Sequence, residues 1–589
     1  MADSTTCSRK GLFEEAVIQH DQYFQAAAPQ GRRLTEAELG EYRGYNTGWR
    51  SSVKVEGECY PVDVLLPADF PFAKPQLALV DKTKHLKWPH VESDGGLCLM
   101  HPHENTVIST EVMLVDYLLN VVAPALIEKC LSGTNQQDFI TEFQSYWPAR
   151  APSIWSLLPI IRKCQVGVCW QSQNLVLVGE DEGQVKSWLQ KYHADRDGFQ
   201  AGYTKALYVW LTNPPIPAEY PQSGADFRRL LLKEPAETQQ FFFDNYPLEQ
   251  DKCLVLFGFN ASKSLAVCGV WLRQSEKGLD NGYRTGKTPR GIGMMRYHGN
   301  RKNLTPIDVQ RVDSTWIHSR GGEKAADYLQ SKSIVFIGCG SIGSLVAETL
   351  VKAGAGNFSL YDPDRLSWDN VARHALGGGY VGIEKSVGLA KHFQKHYPHV
   401  TCQADQAVKW EQVFSDDPKI LTNCDLIIST IGDWLSEAHL NYLHRTTPEF
   451  PPVLYGWTEA HACAGHALLV KDLGGCLCCG MDEIGNFQQN VMNWVEAETM
   501  EQVPACGAFY QPYGIADLLP IVSMIANVAI QELSGKATRS RHSIWVGSEE
   551  KTIEYGGRIS PALFKDSKLE GSRLIERDWG IKAGCQLCR

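Results

Sequence analysis

Four cysteines and three glycines carry the clearest chemistry by their spacing. The segment GGCLCCG sets Cys476 and Cys479 in a C-x-x-C pair, and the closing AGCQLCR sets Cys585 and Cys588 in another. Two such pairs supply four thiolates, the donor set of a tetrahedral structural Zn²⁺, and a shared metal would tie the end of the chain to a distant loop. Cys478, between the first two, reads as a packing or outer-shell thiol. In KSIVFIGCGSIGSLVAETLVKAGAGNFSLYDPD, Gly338, Gly340 and Gly343 lie between a strand-like and a helix-like run, with Asp362 and Asp364 ending the next strand. Gly338 and Gly340 let backbone N–H groups approach phosphate at a helix N-terminus, and Gly343 permits close helix packing. The order predicts a nucleotide-binding Rossmann-like unit.

An acidic residue after the second strand suits the ribose of a dinucleotide or of ATP, so the glycines do not separate redox chemistry from adenylation. The continuation DPDRLSWDNVARHALGGGYVGIEK adds Asn370, Arg373 and Lys385. A leaving pyrophosphate needs such donors and cations, whereas a bound dinucleotide does not. A further thiol, Cys98 in DGGLCLMHPH, follows two glycines and precedes His101 and His103. By itself it reads either as a core thiol or as a nucleophile; the histidines read as surface residues, or as groups that depress the thiol pKa or take a proton from an amine.

The glycine-rich region resembles the activating enzymes of the ubiquitin and molybdopterin/thiamine sulfur-carrier families, whose motif runs D-x-D, S-N-x-x-R-Q, G-x-x-K. Asp364, Asn370, Arg373 and Lys385 fall in register with it, while Asp369 replaces the serine and His374 the glutamine. The resemblance implies ATP at Gly338, Gly340, Gly343, Asp364, Asn370, Arg373 and Lys385, Mg²⁺ at Asp433 in DLIISTIGD, and the zinc site at the four paired cysteines. It also implies that Cys506, in the loop ETMEQVPACGAFYQPYG, takes the acyl group from the adenylate. On the residues alone, Asp433 equally caps the helix WLSEAHLNYL, and Cys506 is equally a buried loop thiol. Related adenylating domains are homodimers in which an arginine reaches the other subunit's phosphates; Arg311 and Arg320 are the candidates, though neither spacing fits well.

The N-terminal segment resembles the ubiquitin-conjugating enzymes: LLPADFPFAKPQLALV matches their P-x-x-Y-P-x-x-P-P segment, and WPHVESDGGLCLM their H-P-N motif followed by N-G-x-I-C-L. This implies that Cys98 is the thioester-bearing nucleophile and that His90 stands where the family's asparagine stabilises the oxyanion, which His90 would serve by donating a hydrogen bond. A conjugating-like domain, a linker domain and an adenylating domain in that order resemble the bacterial fusion enzymes of CBASS anti-phage systems. By that resemblance a protein carboxylate, the C-terminus of a cGAS-like CD-NTase, is adenylated, carried as thioesters on Cys506 and then Cys98, and ligated to the amine of an unidentified target. Two alternatives stand beside it: a sulfur-carrier adenylating enzyme of cofactor biosynthesis, which needs no Cys98, and a non-catalytic nucleotide-sensing scaffold.

These residues need elements to hold them. A chain of 589 residues, 43% hydrophobic and 21% charged, exceeds a single core. The pattern predicts an α/β and α+β multidomain fold. Residues 1–155 form a ubiquitin-conjugating-like α+β domain with strands CYPVDVLL and QLALV and the apolar helix TEVMLVDYLLNVVAPALIEKCL. Residues 156–305 form an α/β linker domain, with Cys253 and Cys268 as inert core thiols. Residues 306–589 form a Rossmann-like adenylation domain, whose β and α alternation predicts a parallel sheet with helices on both faces. The basic, glycine-rich GYRTGKTPRGIGMMRYHGNRK, residues 282 to 302, reads as an exposed loop, either a solvated linker or an anion- or partner-binding segment. A net charge of −10 argues against nucleic-acid or anionic-membrane binding, and no apolar run of spanning length is seen. Eighteen cysteines without a secretion signal predict reduced thiols in the cytoplasm.

Overall fold

The computed structural model describes residues 9–26, 31–100, 111–149, 153–172, 175–192, 202–262, 264–274, 302–318, 328–404, 408–471, 474–494, 499–502, 509–560 and 572–588. The chain divides into two compact units, Met1–Val185 with Gln200–Gln310, and Lys186–Phe199 with Arg311–Arg589.

The first unit holds two sheets. An antiparallel meander runs β1 (Arg32–Arg33), β2 (Tyr45–Val55), β3 (Glu58–Pro67), β4 (Gln76–Leu79) in spatial order. The β2–β3 turn is Glu56–Gly57 with φ of 52° and 88°, the left-handed pair that matches strand twist in a two-residue hairpin. The inward residues of β2 and β3, among them Val53, Val62, Val64 and Leu66, meet Phe24 of the helix Arg9–Ala26 and Ile127 of the helix Ala123–Ser132. The apolar helix expected here is helical from Met113 to Ser132, with a wider turn over Leu118–Val122. That turn precedes Pro124, which has no N–H to give to the regular ladder.

The second sheet is built from β5 (Ile154–Ser156), β6 (Gln165–Gln171), β7 (Val176–Gly179), β8 (Thr204–Trp210), β9 (Lys252–Ala261), β10 (Ser264–Arg273), β11 (Leu304–Ile307) and β12 (Val309–Arg311), in the order β11-β10-β9-β8-β6-β7-β5-β12. Cys253 and Cys268 are buried in it, and burial pushes both thiols up, which makes them inert. Two single-turn helices, Asp138–Thr141 and Phe143–Tyr146, insert Phe139, Phe143 and Tyr146 into the same core, followed by Trp147. Their anchoring fixes the carboxylates they carry.

The strands of the second unit are β13 (Ser333–Ile337), β14 (Asn357–Tyr361), β15 (Thr401–Ala404), β16 (Leu426–Ser429), β17 (Val453–Thr458), β18 (Ala464–Val470), β19 (Met492–Trp494), β20 (Glu501–Gln502), β21 (Phe509–Tyr510), β22 (Arg541–Val546), β23 (Gly557–Ile559) and β24 (Arg573–Asp578). Eight of them form one sheet, β15-β14-β13-β16-β17-β18-β22-β24; β19 pairs with β23 and β20 with β21. The parallel sheet predicted from the alternation is present from β15 to β17, but β18, β22 and β24 are antiparallel. The reason is local: the β17–β18 link, Glu459–Cys463, is too short for a parallel crossover. Along β13, Ile334 and Phe336 enter one core while Val335 and Ile337 enter the other, so both faces are covered.

Helices Ser341–Lys352 and Ile515–Leu533 pack on the first of those faces. Among the described residues Ile515–Leu533 is the one helix long and apolar enough to cross a membrane. Its Ile521 and Ile525 fill the space left by Gly465 and Gly456, where an added Cβ would lie 2.4 and 2.8 Å from them.

Candidate functional site

The glycine turn after β13 is set by sterics. Gly338 has φ +92°, and a Cβ there would come within 2.8 Å of Ile431 Cγ2; at Gly343 a Cβ would lie 2.0 Å from the Gly338 carbonyl oxygen. Gly340 caps the helix Ser341–Lys352, and a Cβ on it would meet nothing within 4 Å, so that side is open. Two buried side chains bracket the turn. Asp362 Oδ2 accepts from the Cys339 N–H at 2.7 Å and its Oδ1 from the Asp364 N–H at 2.8 Å, while burial pushes its carboxyl up. His374 Nε2–H donates to the Cys339 carbonyl at 2.7 Å and its Nδ1 accepts from the Leu376 N–H at 3.0 Å. This is the neutral tautomer, and burial pulls its pKa down to about 4. In sequence His374 is only a departure from a motif; in the fold it holds the turn.

Gly340, Ser341, Asn370, Arg373, His374 and Lys385 line one small cavity of about 210 Å³. The Arg373 guanidinium lies 4.8 Å from the centre of the Tyr513 ring and donates to the Gln511 carbonyl at 3.4 Å. Tyr513 Oη in turn meets Ser341 Oγ at 2.7 Å. Lys385 opens the helix Lys385–His396, and its Nζ pairs with Asp364 Oδ2 at 2.9 Å. Asp364 is exposed, unlike Asp362 two residues before it. Asn370 ends the short turn Trp368–Asn370, its Oδ1 accepting from Ser367 Oγ at 3.0 Å. Gly340, the amide and both cations predicted for phosphate therefore line one cavity.

Asp433 follows β16 and caps the helix Trp434–Thr446, Oδ1 accepting from the N–H groups of Leu435 at 3.0 Å and Ser436 at 3.2 Å. It also lines the larger cavity that runs from the glycine turn. One turn on, Glu437 accepts from Ser429 Oγ at 2.8 Å, and burial raises its carboxyl to about 7 against the pull of that bond and the Gly432 N–H. Nothing in the sequence marks Glu437, because its burial arises from packing on β16.

The same helix ends at the paired cysteines. Sγ atoms of Cys476 and Cys479 lie 3.9 Å apart, those of Cys476 and Cys585 3.7 Å, and those of Cys479 and Cys588 3.6 Å. All four lie within 4.8 Å of one another. Zn–S bonds of about 2.3 Å set tetrahedral S···S edges of roughly 3.8 Å, so the four thiols fit a Zn²⁺ ion. Outer contacts complete the group: Arg445 Nη2 donates to Cys588 Sγ at 3.5 Å and the Lys582 N–H to Cys479 Sγ at 3.4 Å. Cys478 is outside the set and accepts from Asn441 Nδ2 at 3.3 Å.

In the first unit Cys98 is exposed, and its N–H donates to the His90 carbonyl at 2.9 Å. His90 has φ 63°. Its N–H donates to Tyr146 Oη at 2.8 Å, Nε2 lies 3.0 Å from Asp138 Oδ2, and Nδ1 lies 3.3 Å from Glu142 Oε2. Tyr146 Oη–H donates to Glu142 at 3.2 Å. Both ring nitrogens thus face carboxylates brought in by the two single-turn helices. Partial desolvation of the sulfur, then the charges of Glu142 and Glu92, push the Cys98 thiol up. Sequence reading missed Asp138, Glu142 and Tyr146, since only the fold brings them to the thiol loop.

Arg311 is held within its own chain, Nε and Nη2 each 2.8 Å from the buried Asp313. Cys506, His101, His103, Arg320 and nearly all of the basic loop 282 to 302 lie outside the described residues.

Residues 315–547 match the ThiF family and residues 23–155 match the Prokaryotic E2 family B. The chain is 30% identical over 297 residues to the ATP-dependent ubiquitin transferase-like protein Cap2 of Vibrio cholerae serotype O1 (strain ATCC 39315 / El Tor Inaba N16961), covering 49% of this chain and 46% of that one. The match thus spans about half the length of that curated relative. The protein of the same name from Escherichia coli (strain TW11681) is 22% identical over 533 residues, 81% of this chain and 86% of that one. The solved structure of E. coli MccB covers 45% of this chain and 67% of its own at 14% identity, with a TM-score of 0.32.

Proposed function

Because the chain joins a prokaryotic E2 family B domain to a ThiF family domain, we propose that it activates the C-terminal carboxylate of a protein with ATP and transfers the acyl group to an amine. The observation that carries the reading is the convergence of Gly340, Asn370, Arg373 and Lys385 on one cavity at the carboxyl edge of β13 and β14. A carboxylate oxygen attacks the α-phosphorus, and pyrophosphate leaves. Negative charge grows on the departing phosphates, where the Arg373 and Lys385 cations and the N–H groups at the helix start stabilise it. Asp433 would hold Mg²⁺, whose charge would neutralise phosphate charge. Stacking on Tyr513 pre-orients Arg373, so less freedom is lost when the nucleotide binds.

The Cys506 thiolate then attacks the acyl carbon and AMP leaves; the Cys98 thiolate displaces Cys506 by transthiolation; and an amine displaces Cys98, leaving an amide and a thiol. Glu142 and Glu92, which disfavour the free Cys98 thiolate, favour a cationic amine approaching the loaded thioester, and Asp138 with Glu142 fixes the His90 ring. The amine must lose a proton before or during attack, and Asp138 and Glu142 are carboxylates within this group. By the resemblance to the CBASS fusion enzymes drawn from the sequence motifs, we take the carried protein to be a CD-NTase and the working form to be a cytoplasmic homodimer. The four cysteines hold a structural Zn²⁺.

Intact mass spectrometry with ATP and candidate carrier proteins tests the relay in wild type, Cys98→Ala and Cys506→Ala. Thiol-reducible adducts on Cys506 in the Cys98→Ala protein, and on both cysteines in wild type, are expected. Absence of any adduct, together with no ATP–pyrophosphate exchange, rejects the reading.

A further inference from the structure

The cavity of the second unit is larger than a triphosphate and ribose need, about 1010 Å³, and it is not uniform. The strands β14, β13, β16 and β17 are parallel neighbours, so their carboxyl ends lie along one edge about 4.8 Å apart. The acidic residues after β14 and the glycine turn after β13 occupy one half of that edge. The cavity continues past Thr430–Asp433 after β16 to Gly456–Thr458 at the end of β17. There the wall changes character to Trp434, Trp457, Leu477, Met481 and Phe487. Trp457 and Phe487 meet edge to face with centres 5.0 Å apart, and the Trp434 indole nitrogen lies 2.5 Å from where a Cβ on Gly485 would be. All five pack against the core that carries the paired cysteines, so this lining is pre-formed.

We infer that this chamber reads an apolar side chain near the C-terminus of the activated protein. The inference rests on the adenylation reading, since it takes the carboxylate to lie over the glycine turn. From β13 to β17 is two strand spacings, about 10 Å, and an extended chain advances about 3.3 Å per residue. The residue entering the chamber is therefore the third or fourth from the end. A tail of glycines would leave this wall of rings and thioether unfilled, whereas a leucine or phenylalanine removes its own apolar surface and that of the wall from water. The other end of the same cavity, lined by Tyr361 and Lys409, is left for the adenine ring.

The test is ATP–pyrophosphate exchange by the full-length protein with synthetic ten-residue peptides. Each ends in glycine and carries leucine, phenylalanine, glycine or aspartate at the third and fourth positions from the end. Leucine and phenylalanine peptides should exceed the glycine peptide in kcat/KM by about tenfold or more, the factor that burial of one such side chain supplies. Met481→Glu should abolish that advantage while the KM for ATP stays as in wild type. Glycine peptides equal to the apolar ones overturn the inference and leave adenylation standing. So does a Met481→Glu protein that keeps the peptide ranking but loses ATP affinity, because the chamber would then hold the base. Exchange with none of the peptides overturns the adenylation reading, and the inference with it.

Discussion

Two glycines of the phosphate turn should fail in different ways when replaced by alanine. At Gly343 the new methyl would sit 2.0 Å from the Gly338 carbonyl oxygen and 2.5 Å from Thr430 Oγ1, about 1 Å or more inside any tolerable contact. The helix must back away from β13 or the turn must shift, and overpacking of this kind costs about 1–3 kcal/mol. For a unit of this size each kcal/mol moves the melting temperature by about 2–4 °C, so a fall of roughly 2–12 °C is expected. At Gly340 the backbone is ordinary, with φ −74°, and a methyl meets nothing within 4 Å. The loss there is limited to the weaker helix cap of alanine, up to about 1 kcal/mol, but the methyl projects from the face where phosphate would approach. Gly340→Ala should therefore weaken nucleotide binding at least tenfold with little change in melting, whereas Gly343→Ala should melt early. Differential scanning fluorimetry of the full chain with and without ATP, beside a fluorescent-nucleotide titration, separates the two. Wild-type nucleotide affinity in Gly340→Ala would refute the assignment of this turn to phosphate. An unshifted melting curve in Gly343→Ala would refute the packing argument.

Removing the Glu142 charge by Glu142→Gln takes away a group that disfavours the Cys98 thiolate, so at pH 7.5 Cys98 should alkylate faster with iodoacetamide, read by peptide mass spectrometry; an unchanged rate would show that the charge does not reach the sulfur. Burial raises the Glu437 carboxyl from 4.5 to about 7, so the folded state binds the extra proton and stability falls as pH rises through that window. Glu437→Gln should thus gain stability over wild type from pH 5 to pH 8, measured by denaturant melts at both, and a constant difference counts against it. Chelation, or Cys585→Ser, should release one zinc per chain in a metallochromic assay and lower the melting temperature of the wild-type protein; a full complement of zinc retained by Cys585→Ser would speak against the four-thiol set.

Much of the nucleotide site was legible in the chain because its parts are local. Strand, glycine turn, helix and second strand follow one another within a few tens of residues, and the closest approach at Gly343 is to the Gly338 carbonyl of the same turn. Asn370, Arg373 and Lys385 lie on short elements leading away from β14, so reading them as one group needed no long-range pairing. The cysteine pairs were legible as pairs, since C-x-x-C spacing alone aims two thiols at one point.

The tertiary structure decided what depends on residues far apart in sequence. It brought Cys476 and Cys479 to Cys585 and Cys588, and set Arg445 on the rim. It separated Asp362, buried as the anchor of the turn, from Asp364, exposed and paired with Lys385; two aspartates two residues apart cannot be ranked by composition. It made three of the eight strands of the expected parallel sheet antiparallel, starting where a short link after β17 leaves no room for a crossover. At Cys98 it placed Asp138 and Glu142 against both nitrogens of His90, although those acids sit on helices whose aromatic side chains belong to another core. Sequence spacing specifies geometry only over a turn or a strand; beyond that, the packing of separate elements determines which charges meet.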